Sequence, residues 1–424
     1  MEDDAPAPIP VNLLLQIAAR SDPVTLVRCA AACRALRDAV AAPAFLRGGL
    51  RLRHAAEGRF VPTLLRGFFH QRRDRAEGED PQLVDPWLPR GVPSPEPFRS
   101  FLSENTDLFE FYEPAAARGG LIALRSGSPD DAGVCDPMTG FLDFLGRPEI
   151  GAQSYVLLTD DCDGIGCRFR LLAANLQSSL STADGACCCC CLQTQAYSSD
   201  EAGAWGAITE TWVPGLPWGA KFVRPDALVL DGVAHWLCRS SDHQKYFVLT
   251  FSAGEASTTV TVIRAEEDDD DGRCRRLHGC KPKELLLVSS VEGRVSLLVA
   301  EQGLEISLWT APHAADSGGI WTRQVVVDAE KARQAVAPRE LPLSGRHELR
   351  WFGEKSGGVL TRLADPAVPV RGRFSNFSFY FMLEIVARRV RMVCRLRDSN
   401  VHMLFPYEMG LSFWLPKITP SIMQ

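Results

Sequence analysis

The sequence lacks the segments that direct a chain into or across a membrane. Its first ten residues are acidic and Pro-rich, without the basic region and apolar stretch of a signal peptide. No run of about 18 apolar residues occurs among the 424 residues, so no membrane-spanning helix is predicted. We therefore expect an intracellular protein, cytoplasmic or nuclear, that does not use a membrane as a partner.

An excess of basic charge is also missing. The 46 Lys and Arg residues are outnumbered by 52 Asp and Glu residues, and the net charge is -6. Domains that bind nucleic acid usually present a basic surface. We therefore expect no nucleic-acid partner.

The sequence signatures of catalysis are absent. There is no phosphate-binding glycine loop, no dinucleotide-binding glycine fingerprint, no His-Glu-x-x-His and no Gly-x-Ser-x-Gly. The eight histidines are scattered, and His235 is predicted to be an ordinary strand residue. These absences predict a non-catalytic protein without a cofactor. A hydrolase would instead need His235 or His347 beside two carboxylates in one cleft.

Cysteine is common, but its spacing does not favour a metal. Five of the 14 cysteines form the run Cys187–Cys191. Adjacent residues of a strand point to opposite faces, whereas zinc needs converging ligands, usually two to four residues apart. We predict no metal site and expect reduced, buried or low-complexity cysteines, with metal binding and palmitoylation as alternatives. The acidic run 266–271 is predicted to be a solvated loop, because it lacks the ligand spacing of a calcium loop.

Residues 11–44 contain no glycine and are rich in alanine, leucine and arginine, a composition typical of helices. Asp22-Pro23 reads as a helix start, and Pro43 ends the segment. Three short helices are predicted, too few to bury a core alone. A partner is therefore implied. The apolar positions at helical spacing are Leu13, Leu14 and Ile17 in the first helix and Leu26, Val27, Ala30 and Cys33 in the second.

From about residue 108 the pattern changes to short strands and turns. The clearest hairpin is predicted at Asp231-Gly232, because Asp-Gly supplies the positive φ values of a tight turn. A meander is predicted over 284–310 and closed by a strand at 321–327. Strand groups recurring every 40 to 60 residues or so suggest a β-propeller of six or seven irregular blades. Packed β-sandwiches are the alternative.

These patterns divide the chain into four parts. Residues 1–8 are predicted to be disordered, 9–50 to form the all-α module, 51–104 to form a Pro-rich connector, and 105–424 to form a propeller-like domain. The fold class is therefore mainly β with a small N-terminal α module.

The N-terminal motif resembles an F-box. The matching residues are Ile9-Pro10, Leu13-Leu14, Ile17, Asp22-Pro23, Leu26-Val27-Arg28-Cys29, Ala32-Cys33-Arg34, Leu36-Arg37, Pro43 and Phe45-Leu46. Later segments resemble the β-rich domain of plant, grass-type F-box proteins. They are 65–70 (LRGFFH), 118–122 (RGGLI) and 134–140 (VCDPMTG).

The resemblance implies a substrate-recruiting subunit of a Skp–cullin–F-box ubiquitin ligase. The helical module would bind a Skp-family adaptor and through it a cullin, and the β domain would bind an unknown target protein. The family usually has tryptophan where Leu36 stands, which reduces the apolar area available for docking. The alternative is a ligand- or protein-binding β domain with a degenerate F-box and no ligase role. The adaptor-binding positions implied are Pro10, Leu13, Leu14, Ile17, Leu26, Val27, Cys33 and Leu36.

Overall fold

The structure is a computed structural model, and it describes most of the chain from residue 10 to residue 408. The described residues are 10–20, 33–42, 45, 60, 65–72, 82–84, 104–105, 108–127, 131–137, 140–159, 169–181, 187–200, 203–242, 245–264, 277, 279–301, 304–312, 319–328, 347–364, 369–370, 373–374, 377–397 and 401–408.

Two short helices lie near the N-terminus and contact each other. They are α1 (Val11–Arg20) and α2 (Arg34–Ala41). A single turn, α3 (Leu108–Phe111), and a 3₁₀ helix at Pro282–Glu284 lie further along the chain. The predicted middle helix of the three-helix module, with Leu26 and Val27, lies outside the described residues. None of the described helices is long and apolar enough to cross a membrane.

The other regular elements of the described structure are strands. Before the first blade come β1 (Leu65–Arg72) and β2 (Gln82–Val84). The first blade contains β3 (Tyr112–Arg118), β4 (Leu121–Ser126), β5 (Ala132–Asp136) and β6 (Phe141–Gly146). The second contains β7 (Ser154–Thr159), β8 (Phe169–Ser181), β9 (Cys187–Ser198) and β10 (Thr209–Val213).

The third blade contains β11 (Lys221–Phe222), β12 (Leu228–Leu230), β13 (Val233–Arg239), β14 (Tyr246–Ser252) and β15 (Ser257–Val262); β11 and β12 both pair with β13. The fourth contains β16 (Leu285–Ser289), β17 (Val295–Ala300), β18 (Ile306–Thr310) and β19 (Thr322–Val327). The fifth contains β20 (His347–Phe352), β21 (Gly358–Ala364), β24 (Phe377–Glu384) and β25 (Arg389–Arg397), with a small hairpin of β22 (Pro369–Val370) and β23 (Arg373–Phe374) between β21 and β24. The last described strand is β26 (Val401–Glu408).

These five antiparallel sheets form a five-bladed β-propeller. The innermost strands β3, β7, β12, β16 and β20 surround one cavity, as blades do around an axis. The prediction of a propeller is confirmed, but the prediction of six or seven blades is wrong. The second and fifth blades use more residues than a typical blade, since β8 and β9 have 13 and 12 residues and the fifth blade includes an extra hairpin.

A three-stranded sheet from the two ends of the described chain lies between the fifth and first blades. In this closing sheet β1 pairs with both β2 and β26, and β26 contacts β3 and β20. Leu65 and Phe68 of β1 are fully buried against Leu360, Tyr380 and Met382 of the fifth blade. The segment predicted as a connector therefore contributes two strands to the β structure.

Two local predictions are confirmed in detail. The hairpin between β12 and β13 turns at Asp231 and Gly232, whose φ angles are 50° and 79°. The predicted meander and its closing strand form the whole fourth blade. Local turn chemistry was therefore sufficient where the loop is short.

Candidate functional site

The first candidate site is the surface of α1. Pro10 directly precedes the helix, and its carbonyl accepts hydrogen bonds from the backbone N–H groups of Leu13 and Leu14, at 3.0 and 3.1 Å. Leu13 is 46% exposed and Ile17 is 57% exposed, while Leu14 is half-buried. Val11 adds a third large apolar side chain at 40% exposure. One short helix therefore presents several apolar side chains to solvent.

Helix α2, in contrast to α1, buries its large apolar side chains. Leu36 is 4% exposed and Val40 is 1% exposed, so α2 buries its apolar stripe within the chain. Cys33, just before α2, is half-buried, and Pro10 is exposed. Of the residues predicted to bind an adaptor, Leu13 and Ile17 lie on an accessible surface, whereas the side chain of Leu36 is covered.

The second candidate site is the cavity on the propeller axis. Its volume is about 80 Å³, which is room for about two or three water molecules. Apolar side chains from the innermost strands form much of its wall, among them Val156, Leu286 and Phe352. Two arginines and two carboxylates complete the wall: Arg118, Arg224, Asp226 and Glu354.

These four charged groups hold one another and the backbone. Arg118 of the first blade forms an ion pair with Glu354, just after the innermost strand of the fifth blade. The guanidinium of Arg118 also donates to the carbonyl of Val229, at 3.3 Å, and the N–H of Val229 donates to Glu354, at 2.7 Å. Three blades therefore meet at this cross-axis pair.

Arg224 makes a similar connection between the third and fifth blades. It binds the Asp226 carboxylate at 2.7 Å and donates to the carbonyls of Leu349 and Arg350 at 2.5 and 2.8 Å. Arg224, like Arg118, therefore connects blades through an ion pair and through hydrogen bonds to the backbone.

The two histidines considered for a hydrolase do not line this cavity. His235 lies on β13 with Nδ1 2.9 Å from the hydroxyl of Thr250, and burial lowers its pKa to about 4. His347 is 2% exposed and packs against the ring of Phe381, and burial lowers its pKa to about 4 as well. Both are neutral at neutral pH, and His235 is a strand residue, as predicted.

The closing sheet contributes two buried polar side chains that the sequence analysis did not single out, Tyr407 and Glu408 of β26. The Tyr407 hydroxyl donates to the carboxylate of Asp136, at 3.3 Å, within the motif 134–140. The carboxylate of Glu408 accepts the backbone N–H groups of Lys355 and Ser356, at 3.2 and 2.8 Å, and burial raises its pKa. Of these groups, only the motif around Asp136 could be recognised in the sequence. Its partner Tyr407 lies 271 residues further along the chain, so no local pattern joins the two.

The cysteine run lies on β9, where alternate residues face opposite sides of the sheet. Cys190 and Cys191 are both buried free thiols. The Cys190 thiol donates to the carbonyl of Pro217, at 3.1 Å, and Cys190 belongs to the apolar core of the second and third blades. No group of three or more metal-binding side chains occurs in the described part of the chain.

The fold and these sites define a five-bladed β-propeller with an N-terminal helical pair. The chain belongs to the family described as "Domain of unknown function (DUF7595)", whose profile matches residues 92–368. A comparison with curated proteins found no match.

Among solved structures, the chain is similar to one titled "NanB plus Optactamide", with 9% identity, a TM-score of 0.32, and coverage of 65% of this chain and 58% of that one. It is also similar to a xylan beta-1,4-xylosidase from Bacillus halodurans C-125, with 11% identity, a TM-score of 0.31, and coverage of 66% and 55%. A third is the WD40 domain of SCAP from fission yeast, with 7% identity, a TM-score of 0.27, and coverage of 71% and 99%. The chain thus spans little more than half the length of the first two. Scores this low carry no argument about activity, substrate or partner.

Proposed function

We propose that this protein is a non-catalytic adaptor that recruits a target protein to a Skp–cullin–F-box ubiquitin ligase. The observation that carries the proposal is the exposed apolar surface of α1. Val11, Leu13 and Ile17 are 40%, 46% and 57% exposed on a helix of 10 residues. An isolated helix of that length is marginal in water, and its stability comes from packing. A partner that covers these side chains would supply that packing.

The size of the gain fits a docking surface. Completely burying a leucine or isoleucine side chain contributes about 1.5 to 3 kcal/mol, and α1 exposes about half of each. The motif around Leu13 and Ile17 is the one that resembles an F-box. A Skp-family adaptor, joined to a cullin, is the partner that this resemblance implies.

The propeller would hold the target. In the proposed role the chain itself would perform no step of ubiquitin transfer, and its central charged groups bind one another. Its contribution would be proximity, because a tethered partner reaches an effective concentration in the millimolar range or so. The conjugating enzyme would be brought by the other subunits.

Co-purification with a Skp-family adaptor tests the proposal. The chain is co-expressed with the adaptor as wild type, as Leu13→Asp and as Ile17→Asp. Both substitutions are at exposed positions, so they should leave folding intact and abolish the complex. Val386→Asp is the matched control, since Val386 is 58% exposed but lies in the turn between β24 and β25. No complex with the wild type, or equal recovery of all four chains, would overturn the proposal.

A second function is favoured by the burial of Leu36. Because Leu36 stands where the F-box family usually has tryptophan and is only 4% exposed, α2 offers little apolar surface to an adaptor. The alternative is therefore a propeller that binds a ligand or protein without any ligase role. A chain that purifies as a stable monomer and binds no adaptor, while still capturing a protein through the propeller, would favour this alternative.

A further inference from the structure

An exposed tryptophan and an exposed carboxylate lie side by side on one face of the second blade. Glu210 and Trp212 are two residues apart on β10, so both side chains project from the same face of the sheet. Their Cα atoms are about 7 Å apart, the usual spacing along a strand. Glu210 is exposed, and the Trp212 side chain is 54% exposed. We call these two residues the Trp212 site.

The face that carries the Trp212 site is covered by the first blade only at its other end. Trp212 lies opposite Cys191 of β9, which in turn lies opposite Gln177 of β8. Gln177 is exposed, and Cys191 between the two is buried. Leu171 and Tyr197, on the same face of β8 and β9, pack in the core that the first and second blades share. The Trp212 site therefore continues an internal packing face into solvent.

Neighbouring strands hold the Trp212 site in place. The backbone of β10 pairs with β9 on one side. On the other side, the hydroxyl of Thr258 on β15 donates to the carbonyl of Trp212, at 3.0 Å. The side-chain amide of Gln193 on β9 donates to Oε1 of Glu210, at 2.8 Å. The indole ring and the carboxylate are thus presented on a supported strand.

The negative charge of Glu210 is not balanced by a cation. Within the part of the chain that the structure describes, no salt bridge includes Glu210. The Gln193 amide that it binds is neutral and occupies Oε1, which leaves Oε2 for a ligand. The face of the neighbouring indole ring is also electron-rich. In a chain of net charge -6, such a surface is complementary to a positively charged group.

We infer that the Trp212 site binds an arginine side chain of a partner protein. A planar guanidinium can stack on the indole ring while one of its N–H groups donates to Oε2 of Glu210. A lysine ammonium is compact and strongly hydrated, so it gains less from the ring. The exposed amide of Gln177 would bind the backbone of the same segment. Tryptophan and arginine are also the residues in which the centres of protein interfaces are enriched.

The arginine would belong to the target that the propeller holds, and this part of the assignment rests on the proposed function. The Trp212 site lies on the second blade and includes no residue of α1. The experiment therefore uses the full chain without any adaptor. Failure to bind arginine and failure to bind a Skp-family adaptor are then separate results.

Nuclear magnetic resonance of the tryptophan indole N–H groups measures the binding, because it detects weak complexes and reports on each ring. The full chain is titrated with pools of short peptides that have random uncharged residues around a central arginine, lysine or citrulline. Citrulline is the neutral isostere of arginine. The Trp212 signal is identified by its loss in Trp212→Ala. The arginine pool should shift this signal with an affinity about tenfold higher than that of the citrulline pool, and added salt should weaken it.

Trp218 provides a control within the same spectra. It is 47% exposed, but the preceding residue, Pro217, accepts the Cys190 thiol in the core of the second and third blades. The Trp218 side chain therefore belongs to the opposite side of the second blade. Its signal, identified by its loss in Trp218→Ala, should not shift with the arginine pool.

Glu210→Gln should weaken binding of the arginine pool about tenfold, because it removes the ion pair and leaves the Trp212 ring in place. The matched control is Glu292→Gln, an exposed carboxylate of the fourth blade, which should leave the affinity unchanged. Both substitutions are on the surface, so the chain should fold.

Several results would overturn the inference. They are a Trp212 signal that no arginine peptide shifts, equal affinities for the arginine and citrulline pools, and equal affinities of wild type and Glu210→Gln. Tighter binding of the lysine pool would contradict recognition of a guanidinium. A Trp212 signal that shifts with maltose and not with the arginine pool would assign the site to a sugar instead.

Discussion

Helix α1 and the core of the propeller differ in how far they bury their large apolar side chains. The propeller encloses Trp236, Trp309 and Trp321 almost completely and connects its blades across the axis through Arg118 and Arg224. In α1, by contrast, Ile17 remains more than half exposed. A large β structure can complete its own core, whereas two short helices cannot. The exposed side chains of α1 are the surface that the proposed adaptor would cover.

The largest loss of stability is expected when a buried tryptophan of the propeller is replaced. Trp236 is fully buried and donates from its indole N–H to the hydroxyl of Ser154, at 2.9 Å, joining the third and second blades. Trp236→Ala should lower the free energy of unfolding by about 3 to 5 kcal/mol, because it opens a large cavity. Trp212→Ala is the matched control, since Trp212 is 54% exposed, and it should cost about 0.5 kcal/mol or less. Urea unfolding of both variants checks this, and equal losses would contradict a core centred on Trp236.

The next largest effect is a dependence of propeller stability on pH. His235 and His347 stay neutral in the folded chain until about pH 4, whereas the unfolded chain protonates them below about pH 6.5. Their contribution is complete above pH 6.5 and is lost as the pH falls toward 4. Between pH 7 and pH 5 we expect a loss of about 2 kcal/mol for each histidine.

Urea unfolding at several pH values measures this dependence. His347→Phe should remove the contribution of His347 to the dependence of the unfolding free energy on pH, because phenylalanine binds no proton and can pack against Phe381. Glu408 acts in the opposite direction, because burial raises its pKa and its folded form gains stability as the pH falls. An unchanged slope in His347→Phe would show that His347 is not a neutral core residue.

Breaking the ion pair between Arg118 and Glu354 should have a smaller effect on the free energy of unfolding. Arg118→Met removes the guanidinium that pairs with Glu354, while the Glu354 carboxylate keeps the N–H of Val229, and we expect a loss of about 1 to 2 kcal/mol in the free energy of unfolding. Glu354→Gln should cost a similar amount. The double variant should lose less than the sum of the two, because the residues contact each other. Strict additivity in the denaturation data would mean that the pair does not connect the blades.

The smallest effect on the free energy of unfolding is expected for a substitution in α1. Leu13→Ala should change the free energy of unfolding by about 0.5 kcal/mol or less, because its side chain is already half exposed. Leu36→Ala, at a position that is 4% exposed in the neighbouring helix, should cost several times more. Thermal melts followed at helix-sensitive wavelengths distinguish them. A large loss from Leu13→Ala would mean that the chain itself covers α1.

The sequence was sufficient for the parts of this fold that depend on local signals. Asp231-Gly232 specified a two-residue turn, and the alternating apolar residues of 284–327 specified one whole blade. The glycine-free helical composition of 11–44 likewise predicted α1 and α2. Each of these signals involves residues within one turn, one hairpin or one helix. The structure that it predicts is made by the same neighbouring residues, so no contact with a distant part of the chain is needed.

The parts that could not be predicted depend on contacts between distant residues. Neither β1 nor β26 shows which strand it will pair with, although Phe68 and Pro406 are register partners. Arg118 and Glu354 are 236 residues apart, and no motif joins them. The burial of Leu36 was hidden for a similar reason, because helical spacing shows which residues share a face but not which face is covered.

Hydrogen exchange with and without a Skp-family adaptor tests most directly whether α1 is a docking surface. If it is, the amides of 11–20 should exchange readily in the free chain and become protected when the adaptor is added, while those of β13 and β17 stay protected in both. Adaptor binding that leaves the exchange of 11–20 unchanged, or full protection of that helix before any adaptor is added, would contradict the assignment of α1 as a docking surface.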